Sequence, residues 1–402
     1  MTPLTQSPAP TGPAPTVTTP RVRPHVPDRF DPERIIDPAT AAPEFLHVTG
    51  TTREERGTSR GRAAAAGIRY ALDAYTTLFA TKGIDARAQE EAARASLAAL
   101  EDWDPGQVQE LGAVAAAAGL EDWQVGLLAA RTEVLTLADS DPQECSTLAF
   151  RGAERSFSVQ TWDWNVEFAE VWHLHTVDAL TAGSAPADHR ALHAHAGFAE
   201  YGMLGKIGMN DAGIGVHLNI LKNTADVPGG VPVHAILTAV LERAGTVEEA
   251  IDLVLSAPTT SSSVITVTGP GRSVMIELSP TGKQVIEADG WLVHTNHFVG
   301  TELQEGAAEL SATSTSQARY ALLTDRVADA PAPTSTADFL PLLSTSGDQA
   351  PVCCVVDPAK PFGQRSGTLV TVQLDPDARR VVLNPGNPKD TREETTTVVE
   401  FA

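Results

Sequence analysis

The chain has 402 residues, 42% hydrophobic and 20% charged, a balance that supports a sizeable folded core in one large domain or two average ones. Its 51 acidic against 29 basic residues give a formal net charge of -22, which disfavours nucleic acid and anionic membrane surfaces as partners. Three cysteines, two of them adjacent at Cys353 and Cys354, exclude a conventional disulfide framework and fit a reducing, cytoplasmic setting. No run approaches the roughly 18 apolar residues of a membrane helix, and the first residues lack the basic and apolar regions of a secretory signal, so the chain reads as soluble.

Residues 1–43 hold 11 of the 28 prolines, a density that blocks regular backbone hydrogen bonding and predicts a disordered tail. From about 53 to 135 the sequence turns helical: "GRAAAAGIRYALDAYTTLF" and "ARAQEEAARASLAALEDW" combine strong helix formers with apolar positions at helical spacing. After Asp141 short alternating or β-branched runs take over, among them "STLAF", "FSVQTWDW", "VWHLHTV", "GIGVHLNIL", "VITVTG", "SVMIELS", "WLVHTNHF" and "TLVTVQL", and these predict strands. The glycines around "ND" in "GKIGMNDAGIG" lack the spacing of a phosphate loop and predict a hairpin turn. Two helices follow, "VPVHAILTAVLERA" and "TVEEAIDLVLSA", the second opened by a capping box of Thr246 and Glu249, and a further helix, "SQARYALLTDRV", interrupts the later strands. Helices first, then strands with grouped helices, point to sheets layered between helices rather than a doubly wound parallel sheet.

The residue that stands out chemically is Cys145, in "ECSTLAF", a thiol opening a strand directly after the helical part. A free cysteine is commonly a small packing residue; as a nucleophile it needs a base, and the eleven histidines are too dispersed to name one. Cleavage between Glu144 and Cys145 would remove that need, because the new α-amino group, with a pKa of about 8, is itself a base. "HLH" at His173 and His175 and "HAH" at His193 and His195 place imidazoles on one strand face, but no carboxylate or cysteine completes a metal set, and they fit equally well as half-exposed strand residues. Trp162 and Trp164 share a face as core or pocket wall, and Cys353 and Cys354 read as packing thiols near a loop.

The order and spacing of "HVTGTTREERGTSRGR", "ARTEVL", "ECSTLAF", "QTWDWN", "LGKIGMNDAGIGVHLN", "GVPVHAIL" and "LVHTNHF" resemble the acyl-coenzyme A:6-aminopenicillanic acid acyltransferase family, autoproteolytic cysteine N-terminal-nucleophile (Ntn) hydrolases. The resemblance implies an α+β fold, a four-layer α/β/β/α sandwich, with residues 44–402 as one globular domain. It divides the chain into a helical part, 44–144, carried with the tail in one future subunit, and a catalytic part, 145–402, in the other, the two remaining associated. It makes Glu144 and Cys145 the cleavage site and Cys145 the nucleophile. Asn296 of "HTNH" matches the side-chain amide that stabilises the oxyanion, Thr147 and Asp163 match residues beside the nucleophile, and Ser262 the corresponding central-strand position. The implied reaction passes an acyl group from a small amide or thioester through an acyl-cysteine to water or an amine. The partners would be a small-molecule acyl donor and an amine acceptor or coenzyme A thioester, with neither metal nor organic cofactor. The family's penicillin enzyme cleaves after glycine, where this chain has Glu144, and carries an arginine near the stretch that aligns with "PVCCVV", where this chain has Cys354. These departures point away from penicillin, and the acidic exterior together with the missing arginine points to a small neutral or cationic amide-containing metabolite. The alternative is an unprocessed, non-catalytic relative that uses the same fold to bind a small ligand.

Overall fold

Local signals place the helix boundaries in a computed structural model, which describes residues 15–19, 23, 26–138, 145–153, 155–181 and 191–402. Strands β1 (Thr16–Thr18) and β2 (Glu44–Val48) precede six helices: α1 (Arg53–Ala63), α2 (Ala65–Thr81), α3 (Ala86–Trp103), α4 (Pro105–Ala118), α5 (Asp122–Ala129) and α6 (Arg131–Leu135). Thr52, Asp85 and Asp104 cap α1, α3 and α4 by accepting backbone N–H bonds from Glu55, Ala88 and Gln107, and Gly119 ends α4 at φ 72°, a left-handed conformation that suits glycine.

Strands then dominate: β3 (Cys145–Arg151), β4 (Ser156–Asn165), β5 (Trp172–Val177), β6 (His195–Glu200), β7 (Ile207–Asn210) and β8 (Gly215–Ile220). Helices α7 (Val233–Arg243) and α8 (Val247–Ser256) lead to β9 (Ser263–Gly269), β10 (Arg272–Ser279), β11 (Gly282–Ile286) and β12 (Gly290–His294). Helices α9 (Ser316–Ala328) and α10 (Leu340–Leu343) and strands β13 (Ser366–Asp375), β14 (Arg380–Pro385) and β15 (Thr397–Glu400) complete the described α-helices and strands. At α8 the expected box forms in part: Thr246 accepts from the Glu249 N–H, but the Glu249 carboxylate reaches the N–H of Gly245 instead of its own cap. The glycine-rich "ND" stretch is the β7–β8 hairpin, closed by Asn210 Oδ1, which accepts from the N–H groups of Ala212 and Ile214.

Seven strands form one sheet in the order β1-β15-β14-β13-β4-β3-β12, and eight form the other, β11-β10-β9-β8-β7-β6-β5-β2. All pairings are antiparallel except β2 with β5. The sheets face one another, β3 lying against β8 and β4 against β9; α7 and α8 cover the far side of the eight-stranded sheet, and α9 packs on the seven-stranded one. The architecture is thus α+β in four layers, with the helical group α1–α6 joined to the β5–β6 side through Tyr75 and Glu200. One buried apolar cluster runs from Ile68 and Leu78 on α2 through Trp162 and Val216 to Val372 on β13, across the helical group and both sheets. Among the described residues no helix is long and apolar enough to cross a membrane.

The expectation of a disordered tail over 1–43 is corrected in its later part. Strand β1 adds to the edge of the seven-stranded sheet beside β15, and Val26 and Phe30 are buried against the main core. Residues 1–14, 20–22, 24 and 25 of that stretch lie outside the described residues. The expectation of half-exposed histidines is corrected at His173 and His175, each 1% exposed, and at His195, 0% exposed, while His193, just before β6, is half-buried. Strands β5 and β6 are covered on both faces, so alternation there does not mark a solvent side.

Helices α1 and α4 approach closely at two glycines. A Cβ on Gly57 would lie 2.7 Å from Ala113 Cβ, and one on Gly61 2.6 Å from Val114 O, inside the contact limit in both cases. Gly57→Ala is therefore expected to destabilise the protein by about 1–3 kcal/mol through overpacking, read as a lowered midpoint in chemical denaturation. An unchanged midpoint would show that the helices can separate at no cost.

Candidate active site

Cys145 is the first residue of β3, and the ladder sets its neighbours: it lies opposite Trp162, while Thr147 lies opposite Gln160 on one side and His294 on the other. Side chains alternate along a strand, so Cys145 and Thr147 share the face turned toward the second sheet. There the Thr147 hydroxyl donates to Asn219 Oδ1 at 2.7 Å and accepts from Gln160 Nε2 at 2.6 Å. Asn219 Nδ2 in turn donates to the Cys145 carbonyl at 3.2 Å. The two sheets are thus stitched together at the nucleophile candidate by Asn219 of β8.

The other side is built by the segment after β12 and by α9. The Cys145 N–H donates to Asn296 Oδ1 at 2.8 Å. Asn296 is held by its own N–H to Ser316 Oγ, 2.8 Å, and by Nδ2 to the Ile220 carbonyl, 3.0 Å. Arg319, fully buried on α9, donates through Nη1 to the Cys145 carbonyl and to Ser146 Oγ, both at 2.8 Å, and through Nη2 to Asn296 Oδ1 at 3.0 Å. One guanidinium therefore orients both the cysteine backbone and the asparagine side chain that grips it.

Burial is the main reason the Cys145 thiol is pushed up to about 12, with the Asp163 carboxylate adding to the rise. The Asp163 backbone N–H, Lys206 and Arg319 act in the opposite direction. Asp163 itself accepts from the Thr368 hydroxyl at 2.6 Å across the β4–β13 ladder. Lys206 is 1% exposed, with Nζ 3.6 Å from the centroid of the Trp162 ring and 2.7 Å from Glu200 Oε2. Burial lowers its pKa, against the pull of Glu200, to about 7. Glu200 is also bonded by Arg131 Nε at 2.9 Å and by the Tyr75 hydroxyl. Burial alone would raise Glu200, but Arg131 and Lys206 outweigh it and hold the carboxyl near about 2. The result is an ionised carboxylate supporting a lysine that can be neutral at physiological pH.

A space of about 650 Å³ is lined by Arg131, Leu135, Trp164, Ile220, Leu221 and Ser262 among others, and a second of about 490 Å³ by Asn296, His297, Gln304 and Ser314; Lys222, Ala308 and Glu309 line both. Of the residues singled out in the sequence, Cys145, Asn296 and Thr147 belong to one hydrogen-bonded network, and Asp163 stands beside the thiol. Ser262 does not join that network: it precedes β9, donates to Asp226 Oδ1 at 2.6 Å and lines the larger space. Glu144 lies outside the described residues, and Ala138, the last described residue before it, lines the same space.

Asn219, Gln160, Lys206 and Arg131 were not singled out, although each lies inside a quoted motif ("GVHLN", "QTWDW", "LGKIG", "ARTEVL"). A polar residue inside an apolar motif was the available signal. Arg319 sits in a helix that carried no motif, and it brings a cation to the site from an element other than the "PVCCVV" stretch. There Cys353 is buried, with its N–H on Thr345 Oγ1, and Cys354 is half-buried.

This two-sheet α+β chain is an acyl-transfer enzyme, an acyltransferase or amidohydrolase, by its family. Residues 151–390 match the family described as acyl-coenzyme A:6-aminopenicillanic acid acyl-transferase, and the chain belongs to that family. The acyl-coenzyme A:6-aminopenicillanic-acid-acyltransferase 40 kDa form of Emericella nidulans is 26% identical over 257 residues, which span 63% of this chain and 69% of the relative. Among solved structures, penicillin V acylase from Agrobacterium tumefaciens aligns with a TM-score of 0.40 at 15% identity, over 60% of this chain and 82% of that one. A Caenorhabditis elegans N-acylethanolamine-hydrolyzing acid amidase ortholog aligns with a TM-score of 0.37 at 17% identity, over 56% and 99%.

Proposed function

We propose that the chain cleaves itself between Glu144 and Cys145, and that Cys145, then the first residue of its subunit, is the nucleophile of acyl transfer. The observation that carries this reading is the fixation of Cys145 at the mouth of its strand, its N–H on Asn296 and its carbonyl on Asn219 and Arg319. Before cleavage the Cys145 nitrogen is an amide and cannot act as a base. Lys206, close enough to the thiol for each to shift the other's pKa, is assigned to that step. The neutral amine takes the thiol proton, sulfur attacks the Glu144 carbonyl carbon, and the C–N bond breaks as Lys206 passes that proton to the departing nitrogen, which leaves as the Cys145 α-amine. Water then hydrolyses the resulting thioester, leaving a free Glu144 carboxylate and restoring the Cys145 thiol beside its new α-amine.

In turnover that α-amine, with a pKa of about 8, takes the thiol proton and returns it to the leaving amine or thiolate. Asn296 Oδ1 holds the amine where it now holds the amide N–H, and the Nδ2 group stabilises the oxyanion. The larger space, with Leu135, Trp164, Ile220 and Leu221 in its wall, suits the acyl group. The smaller, more polar space suits the departing amine, the incoming acceptor or water. Three free thiols are consistent with a reducing compartment such as the cytoplasm.

Acyl 4-nitroanilides and acyl thioesters of increasing chain length, followed by acid quench and intact mass, test this. The expected result is one acyl group added to the 145–402 subunit during turnover. Turnover retained by Cys145→Ala would sink the assignment. Asn296→Ala is expected to lose about 10²–10³-fold in kcat, measured on the best substrate found, whereas a loss under a few-fold would remove Asn296 from the oxyanion role.

A further inference from the structure

A second buried polar cluster lies between α1 and the β5–β6 part of the eight-stranded sheet, outside the network around Cys145. Arg53, Arg56 and Arg60 recur at helical spacing and so project from one face of α1. Arg53 binds Glu110 at 2.9 Å and Glu242 at 2.7 Å, and Arg56 binds Glu242 and approaches Glu110 at 3.5 Å. Arg60, 1% exposed, has no carboxylate within 4 Å among the described residues; its hydrogen bond runs from Nη2 to the Leu204 carbonyl at 2.7 Å.

Within electrostatic reach of Arg60 are His173 and His175 of β5 and His195 of β6, exposed by 1%, 1% and 0%, their ring centroids spaced 5.6 Å from His173 to His175 and 5.6 Å from His175 to His195. All six ring nitrogens, and Nε and Nη1 of both Arg56 and Arg60, are buried without a hydrogen-bond partner. Burial and the nearby guanidinium groups keep the three imidazoles neutral. Asp104, 8% exposed, also acts on Arg53 and pairs with Arg243 at 3.3 Å, so four guanidinium groups stand against three carboxylates, and Arg60 is the one without a carboxylate partner.

Native interiors leave few polar atoms unpaired and very few charges unneutralised. Ordered water could satisfy the hydrogen bonds here but not the charge, and the guanidinium groups repel a metal cation. We propose that this cluster binds a small monovalent anion of the halide class, chloride in the cell, held by the free N–H groups of Arg60 and Arg56 and by the N–H of the neutral histidines. The anion fastens α1, which precedes the proposed cleavage point, to strands that follow it.

The test uses the full-length protein, dialysed exhaustively against gluconate, a bulky anion, and titrated with sodium chloride or bromide at constant ionic strength. A saturable rise in melting temperature of about 4 °C or more with chloride and with bromide is expected, with none in gluconate. Arg60→Met is expected to lose the response. Crystals grown in bromide should show an anomalous peak between Arg60 and the three rings, a readout that stands even if the variant does not fold. Water alone in place of that peak, equal melting in all three salts, or a chloride response that Arg60→Met retains would overturn the proposal.

Discussion

Cys145→Ala is expected to leave the protein as a single chain of 42.4 kDa and to lower acyl turnover by roughly 10⁵-fold or more, the scale seen when a covalent nucleophile is removed. The substitution deletes only the sulfur. The strand start, the Asn296 contact to the backbone N–H and the Arg319 contact to the carbonyl all involve main-chain atoms, so the fold should survive, and a melting curve checks this. Cys145→Ser separates the two roles of the residue. A hydroxyl is harder to deprotonate than a thiol, so processing should slow markedly yet still end at the same bond. Cleavage of Cys145→Ala at the wild-type rate would contradict the assignment outright.

The second large effect concerns the proton. Lys206 is lowered by burial to about 7, so it is mostly protonated below that pH and mostly neutral above it. If the neutral amine accepts the thiol proton, the rate of self-cleavage rises about tenfold per pH unit below 7 and levels off above. Arginine at this position keeps the charge beside Glu200 but cannot deprotonate. Lys206→Arg should therefore cut processing by about 10²-fold or more and abolish the inflection, while mature enzyme prepared from wild type shows the pH dependence of the Cys145 amine instead. A Lys206→Arg precursor that processes with the wild-type pH profile would remove Lys206 from the step. The same shift carries a stability consequence. Between about 7 and the ordinary 10.5 the unfolded chain binds a proton that the folded chain does not, so this lysine's contribution to stability improves as pH rises through that window.

What the sequence made legible follows from how local each feature is. Strands β3 and β4 and the helices α7 and α8 declare themselves through period and capping within a dozen residues, and Cys145 through the motif around it. Strand β1 does not, because it is three residues among prolines and its partner β15 lies at the opposite end of the chain. The burial of the histidines of β5 and β6 is not legible, because alternation marks a solvent side only when one face of a sheet is wet, and both strands are buried at every position. Asn219 and Arg319 lie 74 and 174 residues from Cys145, and only the stacking of the two sheets and the packing of α9 bring them to its carbonyl. The candidate nucleophile is legible as a residue type at a strand start; the groups that hold its backbone belong to the tertiary fold. Ser262 illustrates the converse, a position assigned by resemblance that stands at the larger space with Asp226 rather than at the thiol.

The most direct test of the central claim is the intact mass and N-terminal sequence of the purified wild-type protein under denaturing conditions. The account predicts two polypeptides, one ending at Glu144 and one beginning with Cys145. A single chain of 42.4 kDa that turns over acyl substrates, or a second chain beginning at any other residue, would contradict it.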